Sequence, residues 1–599
     1  MLASNRCGAQ MAGRMHSSAQ AFPGRTALLG VDGARWTYAE VWDEIGCIVR
    51  LLRDAGVGTG DRVATVLPSG PAAAIGFLGV STCAAAAPLN PYLSLDEYRS
   101  VLGDLSPALL LTVAEFGGSA RTAADEIGLK VVELPFTDAP LSARDGLVGG
   151  SPRGLPSPDD VALILYTSGT TSTPKRVPLT QAQLAASAEN VAATLALTKS
   201  DRCLNVMPLF HIHGIVAGLL ASLVAGGSVV CAPGFKGEHF LDWLADLRPT
   251  WYTAVPTIHQ SLLSEMDLRG METDRRHALR FIRSSSSAMP LDVIVELEQR
   301  MNVPVIEAYG MTEATHQIAS NPLPPAPRKP GSVGPAVGVE AVVLDRSGRP
   351  QPAGVHGELA LRGSTICSGY ENNDEANTSS FCGGWFRTGD EGTIDEDGYL
   401  FLTGRSKEMI NRGGEKITPA EIDNALLEHP AVGQAVAFAV PHPTLGEDVA
   451  AAIVLKRGAK ADEGMLRAHL LEHISEHKVP SRIVFVEAIP TGPSGKLQRI
   501  GLADKLKRQL LPDYSEPRTP FEKELAKIWE AVLGVERVGR EDNFFLLGGD
   551  SLKAVRALSR VRDAFGAGMD VRVAFQHPVL HEHAAMILST LIHREGGTA

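Results

Sequence analysis

The chain has 599 residues and a formal net charge of -12, with 44% hydrophobic and 21% charged residues. That length divides into several domains, each with a core of its own, and the acidic balance, without any run of like charges, speaks against a nucleic-acid binder. Seven cysteines, at 7, 47, 83, 203, 231, 367 and 382, include no CxxC pair, which speaks against a zinc or disulfide framework and for a reducing, cytoplasmic setting.

The first twenty residues lack a long apolar core with a cleavage site, so no signal peptide is read there. From about residue 20 to 405, short β-rich runs alternate with helical segments. Val161–Leu165, Ser228–Cys231, Trp251–Val255 and Val303–Ile306 are expected strands. The alternation implies an α/β domain with mixed sheets over 1–405. The most apolar stretch, Ile215 to Cys231, is interrupted by Gly218, Ser222, Gly226, Gly227 and Ser228. It reads as a buried helix and strand, not a membrane span.

A smaller α+β module is expected over 406–508. Thr418-Pro419-Ala420-Glu421 carries the signature of a capping box with proline at the first helical position. Strand-like runs follow at Ala435–Val440, Ala450–Val454 and Arg482–Val486. The polar, proline-bearing stretch 509–518 reads as a linker. A second capping box, Thr519-Pro520-Phe521-Glu522, then opens a helix with Leu525, Ile528, Trp529 and Val532 on one face and Gly534 as its stop. Residues 519–599 read as a small all-α bundle.

The most informative run is Tyr166-Thr167-Ser168-Gly169-Thr170-Thr171-Ser172-Thr173-Pro174-Lys175, directly after the strand at 161–165. Hydroxyls, backbone N–H groups and one lysine on a loop suit it to cradle phosphates. The GxxxxGK[ST] pattern is missing, so it is not a Walker A loop. A polar surface turn is the bland alternative.

This loop resembles the signature of the acyl-adenylate-forming superfamily, which includes acyl-CoA synthetases, peptide-synthetase adenylation domains and luciferases. Four further motifs follow in the family's order. Ala308-Tyr309-Gly310-Met311-Thr312-Glu313 resembles the adenylate motif and Thr388-Gly389-Asp390 the ribose motif. Gly404-Arg405-Ser406-Lys407 resembles the hinge and Pro493-Ser494-Gly495-Lys496 the catalytic-lysine motif. The resemblance covers about 25–505. It departs at Ser172, Arg176 and Ser287, where the family favours glycine.

The resemblance implies ATP and Mg2+ as cofactors and a role for each matched residue. Thr167, Ser168, Gly169, Thr170, Thr171 and Lys175 would hold the phosphates. Ser287 and Ala288 would pass between adenine and acid, and Tyr309 would stack on adenine. Thr312 would contact the α-phosphate, Glu313 hold Mg2+, Asp390 bind the ribose hydroxyls and Arg405 contact the nucleotide beside them. Lys496 would bridge the attacking carboxylate and the α-phosphate. In the family the small domain then turns about a hinge, here Lys407, to bring in the thiol. Gly413 and Gly414 would line the pantetheine tunnel, and His211 matches a gating aromatic position beside it, a buried structural histidine being the rival reading.

Asp542 to Leu552, containing Gly548-Gly549-Asp550-Ser551, looks like the attachment site of peptidyl and aryl carrier proteins, with Ser551 taking 4'-phosphopantetheine from a phosphopantetheinyl transferase. Leu552, Val555, Leu558 and Val561 are expected to form the apolar face of the following helix. Peptide-synthetase domains usually carry an aspartate after a phenylalanine to pair with the substrate ammonium. Here Phe210-His211-Ile212-His213 offers no carboxylate, and an unpaired buried ammonium is costly. Residues 208–214, 251–260, 307–324 and 410–423 look like plant and fungal oxalyl-CoA synthetases. A small polar acid follows, with His213, His259 and His316 as candidate partners for a second carboxylate. The reading is therefore an acid–thiol ligase that loads its own carrier for a downstream enzyme, as in nonribosomal peptide or related secondary metabolism. A ligase using free CoA and an inactive nucleotide-binding scaffold presenting the carrier remain as alternatives.

Overall fold

The computed structural model describes residues 10–134, 152, 154–167, 174–405, 407–442, 445–490, 499–510, 514–545, 547–549, 551–566 and 571–595. These form two compact units that divide between Leu402 and Thr403.

The first unit is α/β with mixed sheets. Its larger sheet runs in the order His316–Ser320, Val305–Met311, Phe281–Ser285, Trp251–Ala254, Arg202–Asn205, Ser228–Cys231, Thr26–Gly30, Arg35–Thr37. The six central strands are parallel and the two edge strands antiparallel. A second sheet, Val131–Leu134, Leu109–Val113, Arg62–Thr65, Ala85–Pro88, Val161–Thr167, Lys175–Thr180, is parallel except for its last pair. A smaller antiparallel sheet is built around Gly357–Arg362 and Trp385–Ile394.

The strands expected at 161, 228 and 251 start where the apolar runs start. These strands are buried on both faces, so they read as continuous apolar runs. The apolar stretch at 215–231 becomes a π-helix, His213–Leu220, a short α-helix, Ala221–Val224, and the strand Ser228–Cys231. No helix among the described residues is long and apolar enough to cross a membrane.

The second unit holds an α+β module and a helical bundle. In the module, Glu415–Ile417, Ile410–Arg412, Gly446–Leu455 and Val432–His442 form a sheet in that order, and Arg482–Phe485 adds in parallel to Gly446–Leu455. The bundle consists of Pro520–Leu533, Ser551–Phe565, Val571–Gln576 and Leu580–Glu595, closed around Leu525, Trp529, Phe544, Val561 and Leu580. It packs on the module through buried polar bonds: His442 Nε2 lies 2.7 Å from Phe545 O, and Asn543 donates to Ser481 O.

Two local expectations change. Thr418 caps Pro419–Leu427 without a side-chain bond, because its hydroxyl turns to Met409 Sδ and Glu421 pairs with Lys478 at 2.7 Å. At Thr519 half of the box forms: the hydroxyl accepts from Glu522 N–H at 3.0 Å, while the Glu522 carboxylate accepts from Arg518 N–H at 2.7 Å. The buried face of Ser551–Phe565 is Ala554, Ala557, Leu558 and Val561, and Val555 is 52% exposed. The buried stripe thus runs through the two alanines and leaves Val555 outside it.

Candidate active site

The hairpin Val161–Thr167/Lys175–Thr180 presents the phosphate-loop motif, with Thr167 and Lys175 opposite each other in register. Ser168, Gly169, Thr170 and Thr171 lie outside the described residues. Lys175 Nζ sits 4.3 Å from the centroid of the Tyr370 ring. The Tyr370 hydroxyl donates to Glu313 Oε1 at 2.9 Å, and Cys367 N–H donates to Glu313 O at 2.7 Å. Burial, with the Glu313 charge beside it, raises the Tyr370 phenol well above its usual range, so it remains a donor.

Thr312 and Glu313 open a 3-10 turn, Thr312–Ala314, after the strand Val305–Met311. On the same strand Tyr309 donates its hydroxyl to buried Asp390, whose own N–H donates to Thr388 Oγ1 at 3.0 Å. The structure thus brings Lys175 and Glu313 to one tyrosine, and Tyr309 to Asp390. Ser287 and Ala288 are exposed on the loop that follows Phe281–Ser285.

Beside these lies a buried polar cluster. Side chains alternate across a strand, so Thr253 and Arg283, paired in register on neighbouring strands, share one face. His213, the first residue of the π-helix, reaches the same face: its Nε2 is 2.6 Å from Thr253 Oγ1 and its Nδ1 3.0 Å from Ser286 Oγ. Short π-helical segments of this kind are frequent at functional sites. The His316 ring stacks on His213, with centroids 5.1 Å apart.

Arg283 ties the cluster together. Its guanidinium donates to Thr253 Oγ1, His316 Nε2 and Gln317 Oε1, each at 3.2 Å. A guanidinium only donates, so His316 Nε2 accepts and the proton of a neutral His316 is on Nδ1. His213 meets a hydroxyl at each ring nitrogen, Thr253 Oγ1 at Nε2 and Ser286 Oγ at Nδ1, and each hydroxyl can donate or accept. Arg283 is fully buried, and among the described residues it forms no ion pair. Burial pushes it down to about 9, so it stays cationic at neutral pH. The sequence reading missed it; an arginine inside the apolar strand Phe281-Ile282-Arg283 was the available signal.

The backbone at this site is unusual. Ser286 has φ +78° and His316 φ +96°, values that side-chain-bearing residues seldom adopt and that cluster at functional sites. Gly310 makes the His316 conformation sterically feasible, since a Cβ there would lie 1.8 Å from His316 O.

His259 is not brought into this cluster. It contacts the Tyr252 hydroxyl through Nδ1 at 3.1 Å, and Tyr252 points to the opposite face from Thr253, into the core of Leu204, Phe240 and Ile282. Burial pushes His259 down to about 3. The unfolded chain takes up this proton near 6.5 and the folded chain does not, so stability falls as pH drops below about 6.5, by about 1.4 kcal/mol per pH unit from this group. His259→Gln should flatten that part of the acid-unfolding curve. A slope unchanged between pH 6.5 and 5 would count against it.

The His211 ring meets that of Phe210 at a tilt of 52°, with centroids 4.6 Å apart. In the second unit, Arg405 and Lys407 are exposed. Gly413 and Gly414, at φ +63° and +96°, make the two-residue turn between Ile410–Arg412 and Glu415–Ile417, a conformation that favours glycine at both positions. Ser551 is the first residue of its helix. Its side chain and Lys496 lie outside the described residues.

The pattern of the AMP-binding enzyme family matches residues 15–371, that of the AMP-binding enzyme C-terminal domain 421–496, and that of the phosphopantetheine attachment site 523–587. An oxalate–CoA ligase from Arabidopsis thaliana is 42% identical over 501 residues, 82% of this chain and 97% of that protein. A sulfoacetate–CoA ligase from Cupriavidus necator is 38% identical, covering 80% of this chain and 95% of the relative. ATP-bound MatB from Rhodopseudomonas palustris superposes with a TM-score of 0.76 at 29% identity, over 84% of this chain and all of that one. The chain thus belongs to the AMP-binding enzyme family, as an ATP-dependent acid–thiol ligase followed by a phosphopantetheine attachment domain.

Proposed function

We propose that the chain converts oxalate or another short dicarboxylic acid to its acyl-adenylate and passes the acyl group to the pantetheine thiol on Ser551. The observation that carries the acid assignment is Arg283, a fully buried cation without a carboxylate partner among the described residues. An isolated buried charge costs several kcal/mol, roughly, unless a counter-ion is supplied. A second carboxylate supplies it, with the Ser286 hydroxyl as a further donor. A fatty chain leaves the charge uncompensated, and the ammonium of an α-amino acid is repelled. Relatives named for oxalate and sulfoacetate, both small acids with two anionic groups, support the same reading.

The nucleotide reading rests on the other half of the site. Lys175 and the Thr167 end of the loop hold phosphate charge, and Asp390 accepts from the ribose hydroxyls once Tyr309 yields one of its oxygens. Glu313 fits a magnesium ion: its Oε1 is fixed by Tyr370, and its Oε2 makes no hydrogen bond among the described residues. Glu313 would hold the ion, which would supply positive charge against the phosphates. Lys496 places a positive charge between carboxylate and α-phosphate. Withdrawal of Lys496 by rotation at Lys407 opens the path for the thiol past His211 and Gly413-Gly414. The loaded carrier then meets a downstream enzyme, as secondary metabolism requires.

Pyrophosphate release over a panel of oxalate, malonate, sulfoacetate, acetate, octanoate and alanine tests the acid. Preference for octanoate or alanine would sink the pocket reading. Ser551→Ala should keep the rate of pyrophosphate release within about twofold and abolish acyl mass on the pantetheinylated protein, because only covalent loading uses that hydroxyl. Acyl label on another residue of this variant would exclude Ser551 as the acceptor. The named CoA ligases among the relatives favour free CoA as a second acceptor, and acyl-CoA formed by the Ser551→Ala protein would establish it.

A further inference from the structure

Tyr370 stands between the two charged groups that the ATP reading needs, and neither the motifs nor the family match gives it a part. It is 6% exposed. Its hydroxyl holds Glu313 Oε1 at 2.9 Å, and its ring face lies under Lys175 Nζ at 4.3 Å. A phenol that donates to a carboxylate while its ring receives an ammonium fixes both charges at once.

The surroundings hold this tyrosine rigidly. Asn377 clamps its backbone, accepting from Tyr370 N–H at 2.7 Å and donating to Tyr370 O at 2.9 Å. The edge of Phe381 meets its ring, at 71° between planes. On one side Glu371 N–H donates to Arg176 O at 3.1 Å, joining this segment to the strand that carries Lys175. On the other, Cys367 N–H holds Glu313 O at 2.7 Å, and Thr315 Oγ1 donates to Thr365 O at 2.6 Å. The segment 365–371 is therefore a strap between the phosphate loop and the turn at Thr312–Ala314.

We propose that Tyr370 is a positioning residue for the adenylating half-reaction. It turns Glu313 so that Oε2 faces a divalent cation, and it sets Lys175 for the phosphates of the same nucleotide. It exchanges no proton and touches no reacting atom. The proposal rests on the reading of Glu313 as the magnesium holder, and its test separates the two.

The variants are Tyr370→Phe, which keeps the ring under Lys175 and removes the hydroxyl, and Tyr370→Leu, which removes both. ATP affinity of the full chain is measured by calorimetry with magnesium and with EDTA, AMP affinity beside it, and thermal midpoints control for folding. Loss of one hydrogen bond to a charged group predicts a roughly tenfold or greater loss of the magnesium-dependent gain in ATP affinity for Tyr370→Phe. AMP affinity should stay within about twofold, because AMP lacks the phosphates that share the ion. In turnover, Tyr370→Phe should need roughly tenfold more magnesium for pyrophosphate release, yet process a supplied acyl-adenylate at the wild-type rate. Tyr370→Leu should also weaken ATP in EDTA. A wild-type chain whose ATP affinity ignores magnesium overturns the Glu313 reading, and the proposal with it. A wild type that responds to magnesium and a Tyr370→Phe protein that responds equally overturn the role of Tyr370 alone. Equal weakening of ATP and AMP marks a purely structural residue and also overturns it.

Discussion

On the proposed dicarboxylate reading, replacing Arg283 by glutamine is expected to lower kcat/KM for that acid by roughly two to three and a half powers of ten, the equivalent of about 3–5 kcal/mol for breaking one side of a buried ion pair. The size of the effect follows from burial. Arg283 is closed off from water and bonded to Thr253, His316 and Gln317, so solvent screens little of its field. The matching monocarboxylate has nothing to lose at this position, and its kcat/KM should change by less than about threefold. A second measurement separates binding from misfolding. Oxalate should raise the thermal midpoint of the wild type, because a ligand that binds only the folded state stabilises it, and it should leave the midpoint of Arg283→Gln unmoved. A variant that loses both acid types alike would show that Arg283 holds the pocket wall rather than the substrate.

Parts of this site were legible in the sequence for a physical reason, and parts were hidden for one. Strands buried on both faces leave continuous apolar runs, so Ser228–Cys231 and Trp251–Ala254 could be read almost residue by residue. Faces are harder. His259 and His213 lie apart because Tyr252, which contacts His259, and Thr253, which contacts His213, are neighbours on one strand and point opposite ways. Arg283 sits in a strand that stays buried through Ser284 and Ser285, at 2% and 1% exposure, and its partners Thr253, His316 and Gln317 come from other strands, which the local sequence does not show. Capping signatures show the same limit. Thr37, Ser94 and Thr180 form complete boxes, while the two read from sequence do not, since Lys478 and the Arg518 N–H compete for the glutamates. A motif states which bonds a segment can make, and neighbours distant in sequence decide which it does make. Tyr370 illustrates this in the other direction, since its role depends on Lys175 and Glu313, far from it in the chain and adjacent to it in space.

Lys496→Ala should reduce pyrophosphate release by at least about three powers of ten and leave the transfer of a supplied acyl-adenylate to the thiol within about threefold. The chemistry makes the two steps unequal in their need for a cation. In the first, a carboxylate approaches an α-phosphate that is already anionic, and negative charge gathers on the oxygens between them. A lysine held there opposes that charge and aligns the two reactants, which is where preorganised electrostatics contribute most. In the second, the nucleophile is a thiol attacking a neutral acyl carbon, so no anion is driven onto the anionic phosphate, and AMP leaves as the phosphate dianion. The need for a cation against an approaching anionic nucleophile is therefore confined to the first step. On the proposed reading the hinge motif around Lys407 would supply the means, since rotation there would withdraw Lys496 after the first step and admit Gly413-Gly414 for the second. Both half-reactions should be measured on the full chain carrying pantetheine, the first with ATP and acid, the second with synthetic acyl-adenylate and no ATP. Equal loss in the two assays would mean that Lys496 serves both steps from one arrangement, and the rotation would then be unnecessary. Loss confined to the second would place the lysine at the thiol. The split expected here also predicts that ATP and acid added to Lys496→Ala leave Ser551 unacylated, while the adenylate alone loads it.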